Sequence, residues 1–178
     1  MRKLKNSELN RISVQDFKEM EKMPVRIILD NIRSLMNVGS VFRTSDAYLI
    51  KEIILCGITA TPPHREIQKT ALGATESVDW RYVGSTVEAV RELQQQDIKV
   101  YAIEQADESK MLDHVQFSFD NEIAIVMGNE VKGVSEEVME LVDDCIELPQ
   151  FGTKHSLNIS VTTGILIWEL FQQFQKKS

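Results

Sequence analysis

Runs of apolar, β-branched residues alternate with helix-like segments along this chain of 178 residues. The runs predict strands at 25–29, 52–57, 78–83, 98–104, 122–128 and 144–149. The segments around them predict helices at 37–48, 65–72, 86–96, 136–142 and 159–174, and a turn at 58–64. Several strands are apolar on both faces, as in a parallel sheet that helices cover on both sides. The pattern therefore predicts one doubly wound α/β domain over 24–178.

The segment before the first strand is polar, and it predicts a helical extension over 1–23. Its helix is expected at 6–22, and Pro24 ends it. Ser13 and Asp16 have the spacing of a capping box, which gives this helix a point at which it can restart.

The composition, 43% hydrophobic and 26% charged residues, is that of an ordinary globular domain. The sequence contains no apolar run of the ~18 residues that a membrane helix needs. The basic N-terminus lacks the apolar stretch of a secretory signal. Cys56 and Cys145 lie in apolar runs without metal-ligand spacing, which favours buried free thiols in a reducing compartment. These features predict a cytoplasmic protein.

The net charge of −7 is unusual for a protein that binds phosphates. Acidic residues gather in 104–147, whereas the first 43 residues are rich in basic ones. A local basic face is therefore expected despite the global sign, with an ordinary solvated surface as the alternative. The basic residues in question are Arg2, Lys3, Lys5, Arg11, Lys18, Lys22, Arg26, Arg33 and Arg43.

Polar, glycine-bearing blocks follow the strands at 25–29, 122–128 and 144–149. Ligands of parallel sheets bind beyond the carboxyl ends of the strands, so these blocks are the candidate site. In the first block, Asn37 is a plausible helix N-cap, and Arg43 follows six residues later. The two side chains are then about 120° apart on a helix, and share a site only if Asn37 lies in the entry turn. The alternative for Arg43 is a surface salt bridge.

The second block runs from Gly128 to Val134 and contains Glu130. Its spacing matches neither a phosphate-binding loop nor a dinucleotide fingerprint. Glu130 is expected to accept hydrogen bonds, either from a ligand or from the backbone of its own turn.

The third block, 148–160, leads directly into the last helix, with Ser156 or Asn158 as its cap. The adjacent His155 and Ser156 invite a hydrolase interpretation. Neighbouring side chains diverge, however, and the sequence has no Gly-x-Ser-x-Gly elbow, so this interpretation is disfavoured.

Together the three blocks resemble the SPOUT class of RNA methyltransferases, in its SpoU/TrmH-like branch that methylates ribose 2′-hydroxyls. The resemblance extends over about 24–172 and rests on Asn37-Val-Gly-Ser-Val-Phe-Arg43, on 125–149 and on Ser156-Leu-Asn-Ile-Ser160. The segments 69–74 and 142–152 also resemble the tRNA guanosine ribose methyltransferases. The resemblance therefore implies a transferase that uses S-adenosylmethionine.

The resemblance also implies specific architecture. The C-terminal part should form a deep trefoil knot around the cofactor, with backbone of Gln105, Gly128, Leu148 and Leu157 surrounding it. The chain should form a homodimer in which Arg43 of one subunit meets the cofactor of the other. The last helix, with Trp168, Leu170, Phe171 and Phe174, is expected to give the dimer an apolar surface. RNA binding falls either to the short N-terminal extension or to the domain alone.

The implied catalytic residues are Arg43, Asn37, Glu130, Ser156 and Asn158. Arg43 either loses a proton with help from substrate phosphate or stabilises the developing alkoxide, and the sequence leaves both versions open. Ser156 and Asn158 would orient the ribose or Arg43, and Asn37 and Glu130 would hold that arrangement. No metal is expected, because a sulfonium is already an activated electrophile.

The substrate is expected to be tRNA in preference to rRNA, with the same chemistry on rRNA as the alternative. A base methyltransferase is disfavoured by the motif residues. A further alternative is an RNA-binding protein that keeps the fold but has lost catalysis.

Overall fold

A computed structural model of the chain describes residues 1–5, 8–9 and 11–177. Seven strands in this part form one parallel sheet in the order β3-β2-β1-β6-β4-β7-β5. The strands are β1 (Met23–Asp30), β2 (Ile50–Cys56), β3 (Asp79–Val83), β4 (Lys99–Ile103), β5 (Lys110–Met111), β6 (Ile123–Met127) and β7 (Asp144–Glu147).

Helices cover both faces of this sheet. They are α1 (Val14–Glu19), α2 (Leu35–Ala47), α3 (Arg65–Ala71), α4 (Ala74–Ser77), α5 (Thr86–Gln94), α6 (Glu136–Met139) and α7 (Ile159–Lys177), with a 3-10 turn at Leu112–His114. Successive strand residues point to opposite faces. In β1, for example, Ile27 packs in a core with residues of α2, α3 and α7, whereas Ile28 packs in a second core with α5 and α6. The predicted α/β architecture is confirmed.

The predicted strands and the five helices after the first strand are confirmed, although most helices end earlier than expected. The helix at 136–142, for example, ends at Met139. Three elements were not predicted: the single-turn helix α4, directly after Gly73, the two-residue edge strand β5, and the 3-10 turn at Leu112–His114. The turn around Pro62 and Pro63 is confirmed.

The predicted N-terminal helix over 6–22 is wrong for the described residues, because the helix there covers only Val14–Glu19. Residues 6, 7 and 10 of the prediction lie outside the described part. Phe17 is the one buried side chain among the described residues up to 22, so little apolar packing supports a longer helix. The capping box is confirmed, since Ser13 and Asp16 exchange both of its hydrogen bonds.

Both cysteines are buried free thiols, as predicted. Burial, the largest influence, raises the pKa of Cys56 to about 12, and burial likewise raises the pKa of Cys145. Within the described ranges, no helix has the length and apolar character needed to cross a membrane.

A ladder of charges crosses four strands and removes one residue from the predicted basic face. Arg26 of β1 pairs with Glu52 of β2 and with Glu122, which precedes β6. Lys51 joins Glu122, and Arg81 joins Glu52. The guanidinium of Arg26 is therefore neutralised by two carboxylates of the sheet, so it is not available to bind a phosphate.

Candidate active site

A concave site lies at the carboxyl ends of β4, β6 and β7, where the second and third polar blocks meet. It is a cavity of about 500 Å³. The predicted site residues that line it are Gln105, Gly128, Glu130, Leu148, Ser156, Leu157 and Asn158. Among the described residues, no group of His, Cys, Asp and Glu side chains is placed to hold a metal ion.

The helix that carries Asn37 and Arg43 begins earlier than predicted. Ser34 is the N-cap of α2, and its hydroxyl accepts a hydrogen bond from the Asn37 amide at 3.3 Å. The expected capping role of Asn37 is therefore wrong, because Ser34 already satisfies that backbone donor. Asn37 lies in the first helical turn with 9% of its surface exposed, and its side chain is directed to other partners.

Asn37 joins the three blocks in one hydrogen-bonded cluster. Its Nδ2 donates to Oε1 of Glu130 at 3.0 Å. Its Oδ1 accepts from Nδ2 of Asn158 at 3.2 Å. The structure therefore brings together Asn37, Glu130 and Asn158, which the sequence separates by 93 and 121 residues from Asn37.

Glu130 is held as a carboxylate by the entry turn of α2. The amides of Arg33 and Ser34 each donate to it at 3.0 Å. Partial burial acts to raise the pKa of Glu130, but the hydrogen bonds from the Arg33 amide, the Asn37 side chain and the Ser34 amide outweigh it and lower the pKa. Glu130 thus links its turn to α2, a role beyond the two considered from sequence.

Asn129 stabilises the turn at 128–134. Its Oδ1 accepts from the amides of Val131 and Lys132 at 2.9 and 3.1 Å. Its backbone forms a two-way bridge with Gly133. A Cβ on Gly128 would lie 2.3 Å from the Gly133 carbonyl carbon, so only glycine permits this close packing.

The start of α7 confirms Asn158, and not Ser156, as the cap. Oδ1 of Asn158 accepts from the amide and the hydroxyl of Ser160 at 2.9 and 2.7 Å. Ser156 and His155 are exposed on the cavity wall and make no hydrogen bond to each other or to other described residues. The rejected nucleophile interpretation finds no support in this geometry.

Arg43 lies apart from the cavity of its own chain. It is exposed on α2, about two helical turns from Asn37 and about 120° around the axis. Its guanidinium makes no hydrogen bond or ion pair with the residues that the structure describes, so the salt-bridge alternative is not supported. Arg43 shares the exposed face of α2 with Met36 and Ala47.

Two carboxylates beside the cluster were missed from the sequence. Asp30, the last residue of β1, accepts a hydrogen bond from the Ser135 amide, and Glu104, just after β4, accepts one from the Val134 amide. Their position at strand ends was a signal, but their partners are backbone amides, which no side-chain motif reveals.

Comparison with known proteins covers all three blocks. Residues 24–168 match the model of the SpoU rRNA Methylase family. The chain is 31% identical over 166 residues to the 23S rRNA (guanosine-2′-O-)-methyltransferase RlmB of Vibrio parahaemolyticus, covering 93% of this chain and 66% of that protein. It thus spans just under two thirds of the length of that relative.

Solved structures share the fold. A crystal structure of the A. aeolicus TrmH/SpoU tRNA modifying enzyme superposes with a TM-score of 0.81 at 24% identity, covering 92% of this chain and 83% of that one. The AdoMet bound rRNA methyltransferase from Sinorhizobium meliloti superposes with a TM-score of 0.77 at 24% identity, covering 88% and 59%.

Proposed function

The chain belongs to the SpoU rRNA methylase family, and from this premise we propose that it transfers a methyl group from S-adenosylmethionine to a ribose 2′-hydroxyl of RNA. The observation that carries the proposal is the hydrogen-bonded cluster of Asn37, Glu130 and Asn158, of which Glu130 and Asn158 line the cavity. One residue comes from each polar block. Hydrogen bonds hold two amides and a carboxylate in fixed orientations beside a space large enough for a cofactor.

The cavity suits S-adenosylmethionine in size and in chemistry. Its volume of about 500 Å³ lies in the range of small-molecule sites. Apolar side chains such as Ile103 and Ile159 line it beside polar groups, which fits a ligand with an aromatic ring and charged ends. We assign its binding to the surroundings of Gln105, Gly128, Leu148 and Leu157. The bound sulfonium supplies an already activated methyl group.

The remaining residues act on the acceptor. In the transfer a carbon–sulfur bond breaks, a carbon–oxygen bond forms, and the 2′-hydroxyl loses its proton. We assign Ser156 and Asn158 to the orientation of the ribose. Asn37 bonds to Asn158, and Glu130 in turn bonds to Asn37. Arg43 either accepts the proton with help from substrate phosphate or stabilises the alkoxide as it develops.

A symmetric homodimer would bring Arg43 to a cavity. On α7, Val161, Ile165 and Trp168 are 51%, 43% and 49% exposed, at a spacing that puts them on one helical face. The expected apolar surface at Leu170 is wrong, because Leu170 is fully buried, and Phe171 packs against the core. The face of α7 and the exposed face of α2 are our proposed interface. Arg43 then meets the cavity of the partner subunit.

Two further parts of the proposal follow from family membership. We propose that the chain beyond β6 is threaded into a deep trefoil knot, and that 1–23 is an extension of the domain at 24–178. The knot would hold the turns around the cavity in one fixed arrangement. RNA contact by the extension or by the domain itself stays open.

The substrate we favour is rRNA. The curated relative named above acts on 23S rRNA, so the comparisons do not support the preference for tRNA drawn from the sequence. A binding protein without catalysis is disfavoured because the cluster of Asn37, Glu130 and Asn158 is intact.

The test is a methylation assay with labelled S-adenosylmethionine, using rRNA fragments and tRNA transcripts as separate substrates. Nucleosides are then identified by mass spectrometry. We expect 2′-O-methylated nucleoside from rRNA with the wild type and with the exposed-surface variant Asn121→Ala, and none with Asn158→Ala. Base methylation, or binding of the donor without transfer to either RNA, contradicts the proposal. Product from tRNA alone overturns only the choice of substrate.

A further inference from the structure

The turn that carries Glu130 is held from both sides by carboxylates of neighbouring strands. In the sheet, β6 lies between β1 and β4. Asp30, at the end of β1, accepts from the Ser135 amide at 3.1 Å. Glu104, just after β4, accepts from the Val134 amide at 2.9 Å. Two consecutive amides at the end of the turn thus each have a carboxylate partner, one from each flanking strand.

Glu104 also reaches the side of the cavity that we assign to the donor. Its other carboxylate oxygen accepts from the amide of Gln105 at 2.9 Å, and both residues line the cavity. Gly133 has a φ of +69°, and a Cβ there would lie 2.0 Å from the Glu104 carboxylate. The turn backbone therefore packs directly on this carboxylate, an approach that only glycine allows.

Asp30 holds the same turn from a different environment. It is 1% exposed and also accepts hydrogen bonds from the hydroxyl of Thr86 at 2.6 Å and from Nδ2 of Asn31 at 2.7 Å. It is absent from the residues that line the cavity. Both carboxylates therefore hold the turn by accepting hydrogen bonds from its amides. Of the two, only Glu104 also lines the cavity.

We propose that Glu104 is a positioning residue that couples the donor cavity to the placement of Glu130. The inference rests on the proposed methyl transfer. Hydrogen bonds from backbone amides to a carboxylate are stronger than those between neutral groups. One carboxylate bonded to Gln105 and Val134 therefore ties the donor wall to the turn. The turn carries Glu130, which bonds to Asn37, and Asn37 bonds to Asn158. The position of the turn therefore fixes both amides.

The test compares three variants of the full chain. Glu104→Gln keeps the side-chain size but removes the charge and one acceptor oxygen. Asp30→Asn makes the same change on the carboxylate that does not line the cavity. Glu108→Gln is the matched control, because Glu108 is exposed in the next loop and makes no hydrogen bond or ion pair with the described residues. Each is measured for S-adenosylmethionine Kd by calorimetry and for single-turnover rate at saturating donor.

We expect Glu104→Gln to raise the donor Kd by about fivefold or more and to lower the saturated rate by about tenfold or more. Asp30→Asn should lower the rate with an unchanged Kd, and Glu108→Gln should match the wild type. A Glu104→Gln protein with the Kd and rate of the control overturns the inference. An equal rise in Kd for Asp30→Asn also overturns it, because that result indicates general loosening. If Glu104→Gln does not fold, Glu104→Asp is measured in the same way.

Amide hydrogen exchange separates this inference from the proposed function. If the wild type neither binds the donor nor methylates RNA, the proposed function fails by itself. Faster exchange over 128–135 in Glu104→Gln than in Glu108→Gln then still supports the positioning role of Glu104, and equal exchange overturns it.

Discussion

The amide of Asn37 can be oriented in only one way within its cluster. Glu130 is a carboxylate and only accepts, so Asn37 must offer Nδ2 to it. Oδ1 of Asn37 then faces Nδ2 of Asn158, whose own Oδ1 accepts from Ser160. The orientation of each amide is thus fixed by its neighbour, from the start of α7 to the turn after β6. The loss of a single donor would therefore disrupt this series of hydrogen bonds.

Asn37→Asp keeps the shape of the side chain but removes that donor. The new carboxylate would face Glu130 across the 3.0 Å of the present hydrogen bond, where two ionised carboxylates repel. We expect the single-turnover methylation rate to fall by about 100-fold or more. The defect should narrow as the pH falls, because protonating one carboxylate restores a donor.

The matched control for this change is Asn121→Asp, at an exposed position with no hydrogen bond to the described residues. It should keep the wild-type rate, and thermal melting should show that both variants are folded. A wild-type rate for folded Asn37→Asp would show that the cluster has no part in the chemistry.

Residues that carry a motif could be chosen from the sequence, whereas their contacts could not. Asn37, Glu130 and Asn158 were named from three separate blocks, and no periodicity could tell that they bond to one another. Ser34 and Asn37 are both residue types that cap helices, so residue type alone does not show that Ser34 caps α2. Asp30 and Glu104 were missed because their amide partners lie 105 and 30 residues away.

The close packing of α2 on α3 depends on one glycine. A Cβ on Gly39 would lie 2.1 Å from the Thr70 hydroxyl and 2.3 Å from the Ile67 carbonyl oxygen. Because α2 carries Asn37, a shift of this helix would also disturb the site. The neighbouring helix α3 is held to the same place by the hydrogen bond from the Thr70 hydroxyl to the Met36 carbonyl, at 3.0 Å.

We therefore expect Gly39→Ala to lower the free energy of unfolding by about 1 to 3 kcal/mol, the cost of overpacking. Gly84→Ala is the control, since a Cβ at Gly84 would meet no atom within 4 Å. It should leave stability unchanged or raise it by up to about 1 kcal/mol. Urea unfolding of both variants measures the difference, and equal stabilities would contradict the packing argument.

The charge ladder across the strands makes stability depend on pH. Partial burial acts to raise the pKa of Glu122, but its hydrogen bonds from Lys51 and Arg26 outweigh this and lower the pKa. A carboxylate with a lowered folded-state pKa contributes stability above its unfolded-state pKa, and this contribution is lost as the pH falls through the folded-state pKa. The ladder should therefore stabilise the sheet at neutral pH and fail in acid.

Glu122→Gln tests this. We expect it to lower the free energy of unfolding by about 1 to 3 kcal/mol at pH ~7, because it leaves Arg26 with one carboxylate fewer. The difference from wild type should shrink as the pH falls through the lowered folded-state pKa of Glu122 and the carboxylate becomes protonated in both states. Urea unfolding at neutral and at acid pH gives the result, with exposed Glu140→Gln as control. If the difference in unfolding free energy between Glu122→Gln and wild type does not change with pH, the stabilising role of the ionised Glu122 carboxylate is contradicted.

At the scale of elements, apolar packing decided which predictions succeeded. The sequence predicts the strands around Ile27 and Ile125 and the helices around Val41 and Leu93. Their periodic apolar residues are the ones that pack in the two cores. The N-terminal helix was overextended because local propensity there has little packing to support it. The edge strand β5 has two residues, both exposed, so its sequence carries no burial pattern to detect.

Over the whole molecule, the proposed site is incomplete in one chain. Glu130 and Asn158 line the cavity and Asn37 bonds to both, whereas Arg43 lies on the exposed face of α2. The end of α2 adjoins α7, because the ring of Tyr48 contacts that of Trp168, with centroids 5.9 Å apart. The two helices together expose the apolar side chains of Met36, Ile165 and Trp168, and Arg43 is exposed on α2. Exposed apolar side chains on the helix that carries Arg43, which has no partner among the described residues, are consistent with the proposed interface.

Mixed dimers test whether Arg43 serves the partner's cavity. Arg43→Ala and Asn158→Ala should each be inactive alone. In a mixed dimer, the cavity of the Arg43→Ala subunit keeps Asn158 and receives Arg43 from its partner, so one of two sites works. Random mixing makes half of the dimers mixed, so we expect about one quarter of the wild-type rate to return. Adding Ile165→Glu to both chains should abolish the recovery and give a monomer mass by light scattering. If the mixture stays inactive although light scattering shows dimers, Arg43 acts within its own chain. Activity of Arg43→Ala alone would show that Arg43 takes no part in the reaction.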